Sequence, residues 1–387
     1  MKIPENVKVV LDRLEENGYE AYLVGGCVRD ALRGETPSDF DVTTSAFPDE
    51  IKAVFSDFSV FLQGEAHGTV GVIVNSEKIE ITTFRTDGEY HDHRHPENVV
   101  FSRKVEDDLS RRDFTVNAMA FSEKRGLVDF FGGREDIDKK TIRCVGDAQK
   151  RFDEDALRIL RALRFSSVLG YEIAPDTKRA VIEMTGLLAN ISSERIREEL
   201  EKLVNGNGAG KVVSEYFQVF RFLFSEFNET LFFENYLKLE KGKDRCALFF
   251  CAVGKEEGVD KLKYSTALSN FYKNVIRLFK GESFKSIYDL KKAVSQFGVE
   301  SVETSLRIKS LFSKTDFENL KSLEKAVCRG ECMTKKDMAV KGGDLLEMGF
   351  DKGKALGNIL DTLFDLVLRG EVENTKKALC DKALTLK

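Results

Sequence analysis

The sequence predicts an α+β fold: a small mixed β-sheet with helices over roughly the first 146 residues, then an all-α remainder. Three observations support this. Short apolar strand signals, separated by turn residues, cluster before residue 131. A Gly25-Gly26 turn joins one of these strands to a helix start. From about residue 150 onward the apolar residues recur at helical spacing with few strand signals.

Residues 5–18 place Val7, Val10, Leu11 and Leu14 on one helical stripe, which Gly18 ends. Tyr22-Leu23-Val24 reads as a short strand, residues 28–32 as the start of a helix, and residues 39–42 as the next strand. Residues 70–74 and 78–84 flank Asn75-Ser76 and form a hairpin, and residues 127–131 form a further strand closed by Gly132-Gly133. Composition shifts near residues 208 and 330 mark approximate joints within the helical part.

A chain of 387 residues allows two to four folding units. Its 42% hydrophobic and 32% charged residues describe an ordinary soluble protein able to bury a core. It has no run of about 18 apolar residues, so no membrane span is expected, and residues 1–6 lack the apolar run of a secretion signal. The seven cysteines are scattered, and the closest useful pair, Cys328 and Cys332, has no histidine nearby; free thiols in a reducing cytoplasm are expected. A net charge of −5 argues against a generic nucleic-acid coat, but RNA binding depends on where positive charge is concentrated. Most of the 30 phenylalanines are expected in the helical core.

The chemistry begins with Asp39-Phe40-Asp41. In extended backbone the two carboxylates share a face and Phe40 anchors the other. Such a pair suits Mg²⁺, which takes oxygen ligands and often bridges to substrate phosphates. Gly25 and Gly26 allow the backbone to approach phosphate oxygens, and Arg29 lies one helical turn on, although a plain turn and an Arg29–Asp30 ion pair read equally from these residues alone. Glu80, in Ile79-Glu80-Ile81-Thr82, shares a strand face with Thr82 and Phe84; it either completes the acidic cluster or is a solvated strand carboxylate. His91, His93 and His95 alternate in a polar loop, a spacing that fixes no metal geometry.

The run Leu23-Val24-Gly25-Gly26-Cys27-Val28-Arg29-Asp30, followed by Asp39-Phe40-Asp41, resembles the head of the class II nucleotidyltransferases, the family of tRNA CCA-adding enzymes and bacterial poly(A) polymerases. The resemblance continues through Gly64-Glu65-Ala66-His67-Gly68-Thr69, the loop at 85–95, Arg111-Arg112-Asp113-Phe114-Thr115, and Glu154-Asp155-Ala156-Leu157-Arg158 with Arg161 and Arg164. It covers residues 20–170 densely and later ones weakly, including 193–200 and 341–357. Where the family usually has Asp-Gly-Arg, this chain has Asp92-His93-Arg94, which alters the loop's motion but not its presence.

The resemblance implies a nucleotidyltransferase head (1–146), a helical neck for base selection (147–207), a helical body (208–328) and a tRNA-binding tail (329–387). It implies Asp39, Asp41 and Glu80 as catalytic, with Asp39 and Asp41 holding Mg²⁺. Nucleotide contacts fall to Gly25, Gly26, Arg29, Arg112, Asp155, Arg158, Arg161 and Arg164, and Asp113 is placed to cap the helix that follows it. On a helix, Asp155 and Arg158 share a face as acceptor and donor. Cytosine and adenine present the matching donor and acceptor, whereas uracil and guanine invert both, so C and A would be accepted and U and G rejected. An ordinary i,i+3 ion pair is the alternative for those two residues alone. The implied activity is template-independent addition of C, C and A to tRNA from CTP and ATP in the cytoplasm, with no membrane and no obligate protein partner. A-addition beside a separate CC-adding enzyme is the alternative, and poly(A) synthesis ranks below it because His67-Gly68-Thr69 resembles the CCA-adding form.

Overall fold

The apolar run Ala21–Val24 is buried on both faces and becomes an inner strand, β1, of a seven-stranded mixed sheet. The computed structural model describes residues 1–62, 68–88 and 99–386. His67 and the alternating histidines at 91, 93 and 95 lie outside the described residues.

Helix α1 (Glu5–Glu16) buries the predicted stripe of Val7, Val10, Leu11 and Leu14 beneath the sheet. Gly25, with φ of 75° and ψ of −130°, turns β1 into α2 (Gly26–Leu32), a conformation that side chains rarely adopt. The next strand, β2, is Asp41–Thr44, so it begins at Asp41. Asp39 therefore precedes the strand and is not held by its pleat. Helix α3 (Pro48–Val54) and the short strand β3 (Ser59–Phe61) follow. Strands β4 (Thr69–Val74) and β5 (Glu77–Thr83) form the expected hairpin, turned by Asn75 and Ser76 at positive φ. Phe84 falls past the end of β5 and is fully buried with Tyr22, Val24 and Leu109, so it does not share the exposed face of Glu80.

A small hairpin, β6 (Arg85–Asp87) with β7 (Val99–Phe101), precedes α4 (Val105–Ser110). Strands β8 (Ala120–Ser122) and β9 (Gly126–Val128) close the sheet order β3-β4-β5-β2-β1-β8-β9, with β2 and β5 parallel and the other neighbours antiparallel. The strand expected over 127–131 is shorter because Asp129 turns to accept the N–H groups of Gly133 and Arg134, starting α5 (Gly133–Asp138). Helices α6 (Ala148–Glu154), α7 (Leu157–Leu169), α8 (Pro175–Glu183), α9 (Ser193–Val204), α10 (Ala209–Glu215) and α11 (Phe217–Phe224) follow.

The chain divides into two compact units, Met1–Ser225 and Glu226–Lys387. The glycines near 208, read from sequence as a joint, lie inside the first unit and pack tightly. Gly208 N–H donates to Ser167 O at 2.9 Å, and a Cβ on Gly206 would meet Ser167 Oγ at 2.1 Å. They let α9 and α10 close against α7. The second unit is helical throughout its described residues, with one core around Leu290, Val302, Leu306 and Leu323 and another around Leu345, Leu363, Phe364 and Leu379. Its helix Lys354–Arg369 opens on Gly353, beside Lys352 and Lys354 as the sequence suggests. No helix among the described residues is long and apolar enough to cross a membrane, and none of the seven cysteines is in a disulfide.

Because Ser167 is fully buried and its Oγ already donates to Leu203 O, the neighbours of Gly206 have little room to retreat. Substituting G206A should cost about 1–3 kcal/mol of stability, the usual penalty of overpacking. Gly186, with nothing within 4 Å of its would-be Cβ, is the control. Urea unfolding should show G186A close to wild type and G206A clearly destabilised.

Candidate active site

Two cavities meet at Asp41. The first, about 470 Å³, is lined by Gly25, Gly26, Arg29, Asp41, Arg111, Arg112, Asp113, Asn117, Asp155, Leu157, Arg158, Arg161, Arg164, Phe165 and Arg195. All eight residues expected at the nucleotide are therefore in one place. The second, about 510 Å³, is bordered by Asp39, Asp41 and Glu80 together with Asn6, Ser38 and Lys78. The three acidic residues expected to be catalytic all border this cavity.

Asp41 stands where β2 begins, paired in register with Val24, the residue before the Gly25-Gly26 turn. A Cβ on Gly25 would lie 3.2 Å from Arg112 Nη1 and 3.8 Å from Asp41 Oδ2, so the turn is pressed against both side chains. The surrounding protein pushes the Asp41 carboxyl above its ordinary value; Arg112 opposes this, and Glu80 and Asp39 add to it. Glu80 is exposed and pairs with Lys78 at 3.0 Å. This excess of carboxylate around Asp41 fits a hard divalent cation. Among the described residues no three such groups are close enough to hold a metal by themselves. An Asp pair that leaves further ligand positions to substrate phosphates is the usual manner of Mg²⁺ sites.

The walls of the first cavity are arginines, each tied to a carboxylate. Arg29 donates to both Asp30 oxygens at 2.8 and 2.9 Å and to Asn117 Oδ1 at 2.7 Å. Asp108, fully buried at the end of α4, accepts from Arg111 at 2.6 Å and Arg112 at 3.0 Å. Burial alone would raise the Asp108 carboxyl, but the two guanidiniums hold it below the ordinary range. Arg112 keeps a buried Nε with no hydrogen-bond partner.

Asp113 departs from the expected helix cap. It is followed by a 3₁₀ turn, Thr115–Asn117, and its Oδ1 accepts the Phe114 N–H at 2.8 Å. Its Oδ2 binds Arg161 of α7, 48 residues later, at 2.6 Å. Burial works against the charged form, yet Arg161 outweighs it and holds the Asp113 carboxyl low. Asp113 in turn raises Arg161. Glu199 of α9 pairs with Arg164 at 2.5 Å and lies 3.8 Å from Arg161. Phe165 carries the guanidiniums of Arg29, Arg161 and Arg164 over its ring at 5.5, 5.4 and 3.9 Å.

Asp155 and Arg158 both line the cavity, but not as one helix face. The helix breaks between α6 and α7, and Asp155 sits in the break in extended backbone, with φ of −140° and ψ of 102°. Its Oδ1 caps α7 by accepting the Leu157 N–H at 3.1 Å, and its Oδ2 accepts from Arg195 Nη2 at 2.9 Å. Arg158 donates Nη1 to Arg151 O and Glu154, and Nη2 to Arg111 O. Two of the four carboxylate lone-pair positions and two of the five guanidinium N–H groups remain for a ligand. Arg195, Asp113, Asn117 and Glu199 join the site with no site role expected from the sequence. The stretch 193–200 carries only a weak family resemblance, and nothing in local spacing joins it to Asp155.

Comparisons with known proteins show what the chain is similar to. Residues 21–143 match the Poly A polymerase head domain, residues 170–230 a region described as a probable RNA and SrmB-binding site of polymerase A, and residues 237–383 the tRNA nucleotidyltransferase domain 2. The chain is 35% identical to a CCA-adding enzyme of Geobacillus stearothermophilus, covering 96% of this chain and 94% of that one. It is 37% identical to a CCA-adding enzyme of Bacillus licheniformis, covering 96% and 95%. Among solved structures, the Bacillus stearothermophilus CCA-adding enzyme in complex with CTP superposes with a TM-score of 0.81 at 31% identity, covering 100% and 98% of the two chains.

D113N removes the buried carboxylate that pairs with Arg161, whose guanidinium stays partly exposed with Glu199 3.8 Å away, so the variant should lose about 1–3 kcal/mol at neutral pH. The native carboxyl is held low, so its stabilisation is complete above the unfolded value of about 3.9 and is lost as pH falls through the depressed native value. Urea unfolding should give a constant gap between wild type and D113N from pH 8 to 5, narrowing below about pH 4. A gap under about 1 kcal/mol at pH 7 would show the pair to be dispensable.

Proposed function

The chain belongs to the family of CCA-adding enzymes, nucleotidyltransferases of tRNA, and on that basis we propose that it adds C, C and A in turn to a tRNA 3′ end from CTP and ATP, choosing each base with its own side chains. One observation carries this reading: a cavity walled by arginines opens directly onto Asp41, the residue it shares with the acidic cavity.

The triphosphate lies by the Gly25-Gly26 turn, where the absent Cβ lets phosphate oxygens come close to backbone N–H groups and Arg112. Arg29, Arg161 and Arg164 add positive potential already fixed in position, so little reorganisation accompanies charge development on the transferring phosphoryl group. Asp155 accepts the exocyclic amino group of cytosine or adenine, and an uncommitted N–H of Arg158 donates to the adjacent ring nitrogen. Uracil and guanine would set a carbonyl against the carboxylate and an N–H against the guanidinium, each a buried mismatch.

Asp39 and Asp41 are the residues to hold Mg²⁺, with Glu80 in support. The bound ion supplies charge neutralisation on the phosphates and a more acidic 3′-hydroxyl. The acceptor 3′-hydroxyl gives its proton to water in the acidic cavity as its oxygen bonds to the α-phosphorus, while the bond to the bridging oxygen breaks and pyrophosphate leaves. We assign residues 1–146 to the catalytic head, 147–207 to the base-selecting neck, 208–328 to the body and 329–387 to a tail that grips tRNA through its backbone, with Lys352 and Lys354 at the opening of the helix Lys354–Arg369 as contacts. The site of action is the cytoplasm, where tRNA is matured.

The test uses tRNA ending at the discriminator base and tRNA ending in CC, with labelled CTP and ATP supplied singly and together. Wild type should extend the first by CCA with both nucleotides and the second by A with ATP. Extension only of the CC-ending tRNA, and only with ATP, would make it an A-adding enzyme. D41A should fall by about 10³-fold or more in both reactions, as expected for loss of a group that stabilises phosphoryl transfer.

A further inference from the structure

We propose that Arg195 is a specificity-determining positioning residue, which orients Asp155 so that the site accepts C and A and refuses U and G; this rests on the base-reading role given to Asp155 above. Asp155 lies in a helix break, where its own backbone fixes the side chain less than a helix would. Two contacts define its orientation. The Leu157 N–H takes Oδ1 and Arg195 Nη2 takes Oδ2 at 2.9 Å. The first is local and would tolerate rotation about the other oxygen. The second ties the carboxylate to α9, an element 40 residues away, and so locks its plane relative to the cavity.

Arg195 is itself held in register. Ser192 caps α9 at the Arg195 N–H, and Glu199, one turn further on, anchors the same helix to Arg164 and Arg161 of α7. Arg195 also lines the cavity, and its Nη1 is buried without a hydrogen-bond partner. A buried N–H group left unpaired is costly, so a ligand that supplies an acceptor there would gain from it. With Arg195 in place, Asp155 presents two open acceptor positions and Arg195 one open donor on the same cavity wall. Without it, the carboxylate can turn, and a mis-set acceptor no longer distinguishes an amino group from a carbonyl sharply.

The experiment compares wild type, R195A, R195K and D155N on tRNA ending at the discriminator base. It measures kcat and KM for CTP and for UTP separately, with thermal unfolding of each protein as the check on folding. R195A should lower the ratio of kcat/KM for CTP over UTP by about tenfold or more, chiefly by raising KM for CTP, while KM for tRNA stays within twofold. R195K, which keeps the charge but not the forked geometry, should recover part of the ratio. A purely structural role would lower the melting temperature and leave the ratio within twofold, and that result would overturn the proposal. If D155N itself kept wild-type selectivity, the base-reading role of Asp155 would fall instead. Loss of selectivity in D155N but not in R195A would defeat only the part given to Arg195.

Discussion

The ion pair between Asp113 and Arg161 is the contact on which the site depends. It joins the turn after α4 to α7, two elements that no local sequence pattern connects, with Asp113 buried and Arg161 lining the cavity. Around it the same arrangement repeats: Arg111 and Arg112 on Asp108, Arg29 on Asp30, Arg158 on Glu154, Arg164 on Glu199, and Arg195 on Asp155. Seven arginines crowded around one cavity would repel one another. A carboxylate on each lets them stand together in a chain whose net charge is −5. A fixed positive potential is thus assembled in the cavity without a ligand, and an anion bound there need not reorganise it.

The acidic side of the site is built differently. Asp39 and Glu80 are exposed, Glu80 pairs with Lys78, and Asp41 begins its strand at the junction of the two cavities. Groups that exchange metal and phosphate ligands during turnover benefit from open surroundings. Groups that judge a base benefit from rigid ones, since discrimination by hydrogen bonding needs a fixed acceptor and a fixed donor. Asp41 lines both cavities, and the proposed reading places one of these demands on each side of it.

How much of this could be read from the sequence follows from the range of each interaction. The stripe of α1, the Asn75-Ser76 hairpin and the Gly25-Gly26 turn were legible because periodicity and backbone sterics act over a few residues. The family motifs brought Asp41, Arg112, Asp155 and Arg158 to attention together. What spacing could not show was pairing at a distance: Asp155 with Arg195 is 40 residues apart, and Asp113 with Arg161 is 48. Reading residues 155–161 as one continuous helix hid the break that lets Asp155 cap α7. The close contact of Gly206 and Gly208 with Ser167 was not legible either, because composition does not distinguish a flexible link from tight helix packing.

On the proposed reading, protein side chains alone, already in place, select the base. Equilibrium binding of CTP, ATP, UTP and GTP to the enzyme with Mg²⁺ and no RNA tests it most directly. CTP and ATP should bind with similar affinity, and UTP and GTP at least about tenfold more weakly, in line with about 1–3 kcal/mol for a well-formed pair of hydrogen bonds. Equal affinity for all four nucleotides, with discrimination appearing only once tRNA is added, would contradict it.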